Sequence, residues 1–209
     1  ANPLIFPLMA RMVNKISVDA QESEKVVWNA LRVGLPEPWA VIHSLNYVAQ
    51  SGQKRREGEV DFLLIHPKVG IIALEAKGDA EVRNGPEGWA FKNHKGEWRK
   101  GKSPFEQAST GARELNTFLS KEAPELGKVP FGHGVVFPSF TEEGSRGPEA
   151  PREIIIDSEQ LSDIESCVKK IIKRFDLKAD FTPKDIKKII KKFTSYKISK
   201  RSLKQVVDD

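Results

Sequence analysis

The hydrophobic pattern changes period several times along the chain, and each change marks an element. Over residues 19–34 apolar positions recur at helical spacing, with Val27, Ala30 and Leu31 on the inner side and Gly34 as a stop, which predicts a helix. Residues 39–48 read as a strand. Two arms rich in apolar and β-branched residues follow, 58–66 and 70–78, and Pro67 and Gly70 between them predict a hairpin. Gly85-Pro86-Glu87-Gly88 breaks the chain, and 89–99 predict a short second hairpin turning at 93–96. Ser103-Pro104-Phe105-Glu106 is a capping box with proline at the first helical position, opening a helix to about Lys121. Residues 132–138 read as a further strand whose glycines allow close packing, 140–151 as a mobile Gly/Pro/Glu-rich loop, and 153–157 as a last short strand. Two helices end the chain. Ser158 is the expected cap of the first, with a stripe of Leu161, Ile164, Val168, Ile171, Ile172 and Phe175. Thr182-Pro183 opens the second, with Ile186, Ile189, Ile190 and Phe193 inside.

The first hairpin carries chemistry. Alternation sets Glu59, Asp61, Leu63 and Ile65 on one face of its first arm, and Ile71, Ala73, Glu75 and Lys77 on one face of the second. With a loop over 66–70, Ile65 faces Ile71, Asp61 faces Glu75 and Glu59 faces Lys77. Directly opposed residues share a face, with Cβ atoms roughly 4.5–5.5 Å apart. Two carboxylates so placed on apolar strands repel each other and are costly to bury without a partner. A divalent cation resolves that conflict, and a lysine on the same face adds a compact positive charge. This is a phosphodiester-cleaving site in outline.

Asp61, thirteen residues, then Glu75-x-Lys77 resembles the core of the PD-(D/E)XK nucleases. The wider wording narrows the resemblance. Glu24-Lys-Val-Val-Trp-Asn-Ala-Leu31, Gly58-Glu-Val-Asp61-Phe-Leu, Gly70-Ile-Ile-Ala-Leu-Glu75-Ala-Lys77-Gly78 and Ser103-Pro-Phe-Glu-Gln107-Ala together look like the nuclease-related domain, over about 19–137. The resemblance implies an α/β fold with a restriction-endonuclease-like core, a central mixed β-sheet flanked by helices. It implies Mg²⁺ or Mn²⁺ held by Asp61, Glu75 and the carbonyl of Ala76, with Lys77 positioning water or stabilising the transition state. Ala76 stands where the family more often has a β-branched residue, which matters little because that position offers only its carbonyl. The resemblance also makes Glu24 a third carboxylate near the metal and gives Gln107 the task of orienting Lys77 or the water. Read from the residues alone, Glu24 is better taken as a first-turn acid favoured by the helix dipole, and Gln107 as a capping or core amide. Such domains resemble modules fused ahead of helicases, and an ending at Asp209 with no stop signal suits a cut before a helicase domain of a longer chain.

At 209 residues the chain fits one α/β domain and a small appendage: 1–157 as the nuclease-like core and 158–209 as a basic helical extension or a linker to a further domain. No apolar run is long enough to span a membrane, so no membrane partner is expected. The start lacks both a basic n-region and an initiator methionine, and reads as a cut or processed end. The single Cys167 excludes an internal disulfide and fits a reducing, cytoplasmic setting. Four scattered histidines show no ligand spacing, which argues against zinc.

The net charge of +5 is unevenly placed: residues 1–150 hold nineteen basic and nineteen acidic residues, so the excess lies entirely in 151–209. A neutral body with a basic end suits a polyanionic partner, here single- or double-stranded DNA. Contacts with it are expected at Lys54, Arg55 and Arg56 in a polar loop over 51–58, and at Lys187, Lys188 and Lys191 on the last helix. A solvated surface accounts for either cluster equally well. Trp89, Phe91 and Trp98 offer rings for base stacking, although such aromatics more often clamp a hairpin to its sheet.

Gly96-Glu-Trp-Arg-Lys-Gly101-Lys102-Ser103 matches the spacing of a phosphate-binding loop. The stretch before it is no buried apolar strand, its interior is bulky, and Pro104 removes an amide donor from the helix start. The favoured reading is therefore a Mg²⁺- or Mn²⁺-dependent deoxyribonuclease of DNA repair or processing. The alternative is a non-catalytic or weakly catalytic nucleic-acid-binding module serving a helicase, with a nucleotide binder behind both.

Overall fold

The computed structural model describes residues 8–51 and 54–205, without the side chains of 49–51, 54–56 and 196–205. A six-stranded mixed sheet forms its centre. In chain order its strands are β1 (Arg11–Met12), β2 (Ala40–Ser51), β3 (Lys54–His66), β4 (Gly70–Ala76), β8 (Phe131–Phe137) and β9 (Ile155–Asp157), which is also their spatial order. β2, β3 and β4 are antiparallel neighbours, whereas β1 runs parallel to β2, and β8 and β9 continue parallel to β4. A second sheet of three antiparallel strands, β5 (Glu81–Gly85), β6 (Gly88–Lys92) and β7 (Trp98–Gly101), is inserted between β4 and the helix α2 (Pro104–Glu122). The helices α1 (Glu22–Gly34), α3 (Ile164–Phe175) and α4 (Pro183–Gln205) complete the fold.

Burial explains the layering. β4 reads Gly-Ile-Ile-Ala-Leu-Glu-Ala and is buried at all seven positions, because both faces of the sheet are covered. On one face Phe62, Leu64, Ile72 and Leu74 pack with Val27 and Leu31 of α1 and with Ile164, Val168 and Ile171 of α3. On the other, Leu63, Ile65, Ile71 and Ala73 pack with Ala112, Leu115 and Leu119 of α2 and with Ile189, Ile190 and Phe193 of α4. The result is the expected α/β core, a curled mixed sheet between helices, consistent with the restriction-endonuclease-like architecture. A β-carbon on Gly134 would stand 2.8 Å from Ile171 Cδ1, so the glycine in β8 is what lets α3 lie this close.

Several boundaries depart from the sequence pattern. Lys54 to Glu57 are not a loop but extend β3, with Lys54 paired to Ser51 and Glu57 to Val48. The backbone makes that ladder, and side-chain polarity does not report it. The side chains of Lys54, Arg55 and Arg56, expected to touch DNA, lie outside the described residues. β5 was hidden by its polar composition; Gly85 and Gly88 close a two-residue turn from it into β6. Ser103 caps α2 as expected, its hydroxyl accepting from Glu106 N–H at 3.1 Å. Thr182 and Asp185 cap α4 reciprocally. Ser158 does not cap α3. A 3-10 turn (Glu159–Asp163) intervenes, and Asp157 and Gln160 exchange backbone-to-side-chain hydrogen bonds of 3.1 Å instead.

The loop over 140–151 is anchored rather than mobile. Arg146 donates to the carbonyl of Val82 at 2.6 Å, Trp89 Nε1 donates to Glu149 at 3.0 Å, and Ala150 is fully buried. Among the described residues no helix is long and apolar enough to cross a membrane.

Candidate active site

The hairpin register follows the sequence expectation: β3 and β4 pair Ile65 with Ile71, Leu63 with Ala73 and Phe62 with Leu74. The backbone ladder then stops one step short of Asp61 and Glu75. There Asp61 Oδ2 accepts the Ala76 N–H at 2.8 Å, a side chain taking the place of a strand partner.

The faces do not follow simple alternation. Ile65, Leu63 and then Val60 face the α2 side, while Leu64 and Phe62 face the α1 side, so β3 changes phase between Val60 and Phe62. β2 does the same, with Ile42 and Leu45 on one side. The break falls at the one skipped pair of their ladder, Ser44 opposite Asp61, where Ser44 adopts φ 58°. A left-handed residue in a strand is costly for anything but glycine. Here it releases Asp61 from the core-facing position that alternation prescribes and lets its carboxylate reach β4.

Around that break lies a polar cleft of about 300 Å³. Asp61, Glu75, Ala76 and Lys77 line it from the hairpin, Glu24 from α1 and Gln107 from the first turn of α2. All the residues expected to act together therefore share one cavity. Glu75 is 5 % exposed and accepts from Lys77 Nζ at 2.6 Å. Glu24 Oε2 lies 2.7 Å from Nε2 of His43, which is 3 % exposed. Asn14, just beyond β1, grips the His43 backbone on both sides: it accepts from its N–H at 2.8 Å and donates to its carbonyl at 2.7 Å.

Glu59, Asp79 and Arg99 also line the cleft and were not among the expected residues. Ser44 hydroxyl bonds Glu59. The Arg99 guanidinium binds both oxygens of buried Asp79, at 3.0 and 3.1 Å, and lies over the Phe91 ring. Neither was legible as a site residue, and only position along the strands could have hinted at them. Asp79 continues the period of two set by Glu75 and Lys77, and Arg99 pairs with Phe91 across the second hairpin. His43 carried no signal beyond a place in an apolar strand.

Burial pushes the Asp61 carboxyl up to about 8, and the neighbouring Glu75 charge pushes the same way; the Ala76 N–H and Lys77 pull against them. Burial raises Glu75 too, restrained by the Lys77 ammonium. Two acids held where neither ionises readily form a donor set that is short of positive charge. The two carboxylates and the Ala76 carbonyl are hard oxygen donors, which fit Mg²⁺ or Mn²⁺. Among the described residues no three His, Cys, Asp or Glu are grouped to hold a metal by themselves. A Mg²⁺ site commonly uses one or two carboxylates and leaves its other positions to water and phosphate.

Other sequence expectations resolve here. Trp89 and Phe91 are 6 % and 1 % exposed and pack with Phe105, clamping the small sheet to the core, so neither ring is open to a base. Trp98 remains accessible, with Arg83 over its ring. The stretch from Gly96 to Ser103 forms no phosphate loop, because Trp98 to Gly101 are the strand β7 paired to β6. Lys188 bonds Glu125 at 2.6 Å and, like Lys187 and Lys191, lies on α4 away from this cleft.

A family model described as nuclease-related domain matches residues 19–138. No curated protein and no solved structure matches the chain.

Proposed function

Because the chain belongs to the nuclease-related domain family, we propose that it is a metal-dependent nuclease hydrolysing phosphodiester bonds in DNA, in repair or processing. The observation that carries the reading is the pair of half-buried Asp61 and buried Glu75, lining one cleft with Lys77 and short of matching positive charge. Asp61, Glu75 and the Ala76 carbonyl are the residues to hold Mg²⁺ or Mn²⁺. When bound, such an ion polarises a phosphoryl oxygen and makes water a better nucleophile.

The chain's own groups supply the rest. Lys77, now donating to Glu75, is placed to turn toward an attacking water or the charge that develops on phosphate. His43 fixes the carboxylate of Glu24 at the cleft wall, which suits Glu24 to orient water. Gln107 offers an amide at the same cavity. Arg99 presents a cation from the inserted sheet for a neighbouring phosphate. Recognition by backbone and shape rather than by base edges is the expectation, through phosphate contacts of the kind Lys77 and Arg99 offer.

The test is cleavage of single- and double-stranded DNA with Mg²⁺, Mn²⁺ or EDTA. Cation-dependent cutting that Glu75→Ala abolishes supports the reading, and equal activity of the two proteins rejects it. The second reading is a binding module serving a helicase domain, favoured by the ion pair of Lys77 with Glu75, which already gives one of the two acids a partner. Tight DNA binding indifferent to the cation, with no cleavage, decides for it.

A further inference from the structure

A second cavity, of about 870 Å³, lies between α2 and α4. Its α4 wall presents Lys184, Lys188, Lys191 and Lys192. Their spacing of four, seven and eight residues puts them on one helical face. Lys121 adds a cation from α2, and the acids on the walls are Glu114 and Glu122. Lys187, although in the same basic run, is not on that wall. The floor is fixed by apolar contacts: Ile189, Ile190 and Phe193 bury against the sheet, and Phe118 stacks on Phe193 with ring centroids 6.0 Å apart. Phe118 itself is only half-buried, so part of its ring faces the groove between the lysines.

The groove and the acidic cleft share one helix. Gln107 sits in the cleft, while Phe118 and Lys121 lie eleven and fourteen residues further along α2, about 16–21 Å at the helical rise. Converging lysines over a partly open aromatic ring are the features that bind a single strand, the cations following its backbone and the ring meeting an unpaired base.

We propose that the groove between α2 and α4 binds a single-stranded segment of the DNA whose scissile phosphate enters the cleft of Asp61 and Glu75. This rests on the nuclease reading for the identity of the substrate, but the groove acts by binding alone. It therefore sets a minimum substrate length and a preference for DNA with an unpaired flank.

Fluorescence anisotropy in EDTA tests it, using labelled single-stranded DNA of 6 and 20 nucleotides, a 20-base-pair duplex and a 20-nucleotide RNA. The triple variant Lys184→Gln/Lys191→Gln/Lys192→Gln alters side chains at the groove surface; circular dichroism and melting establish that it folds. The expected result is at least tenfold weaker binding of the single-stranded 20-mer and a salt slope smaller by about 2, because three lysines no longer neutralise phosphates. The 6-mer, short enough to lie in the groove alone, should weaken in the same direction. Lys191→Glu alone should weaken the 20-mer in the same direction.

Unchanged affinity for the 20-mer, or tighter wild-type binding of the duplex or RNA than of the single-stranded DNA, overturns the proposal. Because no divalent ion is present, a protein that never cuts still answers the question. Absent cleavage with intact groove-dependent binding rejects the nuclease reading alone.

Discussion

Asp61 Oδ2 accepts the backbone N–H of Ala76 at 2.8 Å, so the ladder between β3 and β4 ends on a carboxylate. The same bond that finishes the sheet fixes the acid beside Glu75. The peptide amide partly offsets the burial of the Asp61 charge, but burial and Glu75 outweigh it. Four expected outcomes follow from this geometry and its surroundings.

Without a cation, Asp61 should make stability fall as pH rises. Its folded carboxyl titrates at about 8, above the ordinary carboxylate range. A group raised in this way contributes fully below its unfolded pKa and loses that contribution as pH climbs through the folded one. Urea unfolding in EDTA between pH 5 and 9 should show the decline. Asp61→Asn, which keeps an acceptor for Ala76, should flatten it and be more stable than wild type at pH 9 by on the order of 2 kcal/mol. The same variant should lose the rise in melting temperature that Mn²⁺ gives the wild type.

His43→Leu should leave Glu24 without its 2.7 Å partner. Removing such an outer partner typically lowers metal affinity or activity by about 10–100-fold. Cation-dependent cleavage, compared with a melting curve at the same pH, separates that effect from unfolding. Activity within twofold of wild type would show that Glu24 needs no such support.

His133 governs the acid limb. Burial beside Phe175 pushes its imidazole down to about 4. A depressed histidine contributes stability above its unfolded pKa, about 6.5, and loses it as pH falls through the folded value. Melting temperature should therefore drop between pH 6.5 and 4, with at most about 3 kcal/mol from this residue. His133→Phe should remove much of that dependence.

Gly78→Ala should disturb the site through packing. A β-carbon there would stand 2.4 Å from Ser23 Cβ, on the helix that carries Glu24. Forcing a methyl group into such a contact costs about 1–3 kcal/mol and pushes α1 away from the cleft. Both the melting temperature and the cation-dependent rate should fall, whereas Gly85→Ala, with open space around it, should leave the rate unchanged.

The parts of the fold with a strong period were legible in the sequence. Pro67 and Gly70 bounded the hairpin well enough that counting back from Ile65 and Ile71 gave its true register. Ser103-Pro104 and Thr182-Pro183 located two helix starts for the reason the structure shows, side-chain oxygens accepting free amides. The nuclease-related wording brought in Glu24 and Gln107, which no spacing argument connects to Asp61. What stayed hidden was set by backbone conformation and by tertiary contact. Nothing in Ser44 as a letter reveals a left-handed turn inside a strand, yet that turn shifts Asp61 relative to Leu63. Arg99 and Asp79 meet only because the inserted sheet folds back, and β5 and the polar end of β3 pair through amides whatever their side chains.

The inserted sheet begins after Lys77 and ends just before the helix bearing Gln107, so residues near both its attachment points line the cleft. Trp89 and Phe91 anchor it through the core, while all four residues of β7 lie at its surface. Changes in the tip or length of this excursion leave the acid-bearing hairpin untouched. Selection can thus revise the entrance without rebuilding the acid pair, and chimaeras that exchange only residues 80–102 should keep the host's pattern of cleavage with and without Mg²⁺ or Mn²⁺.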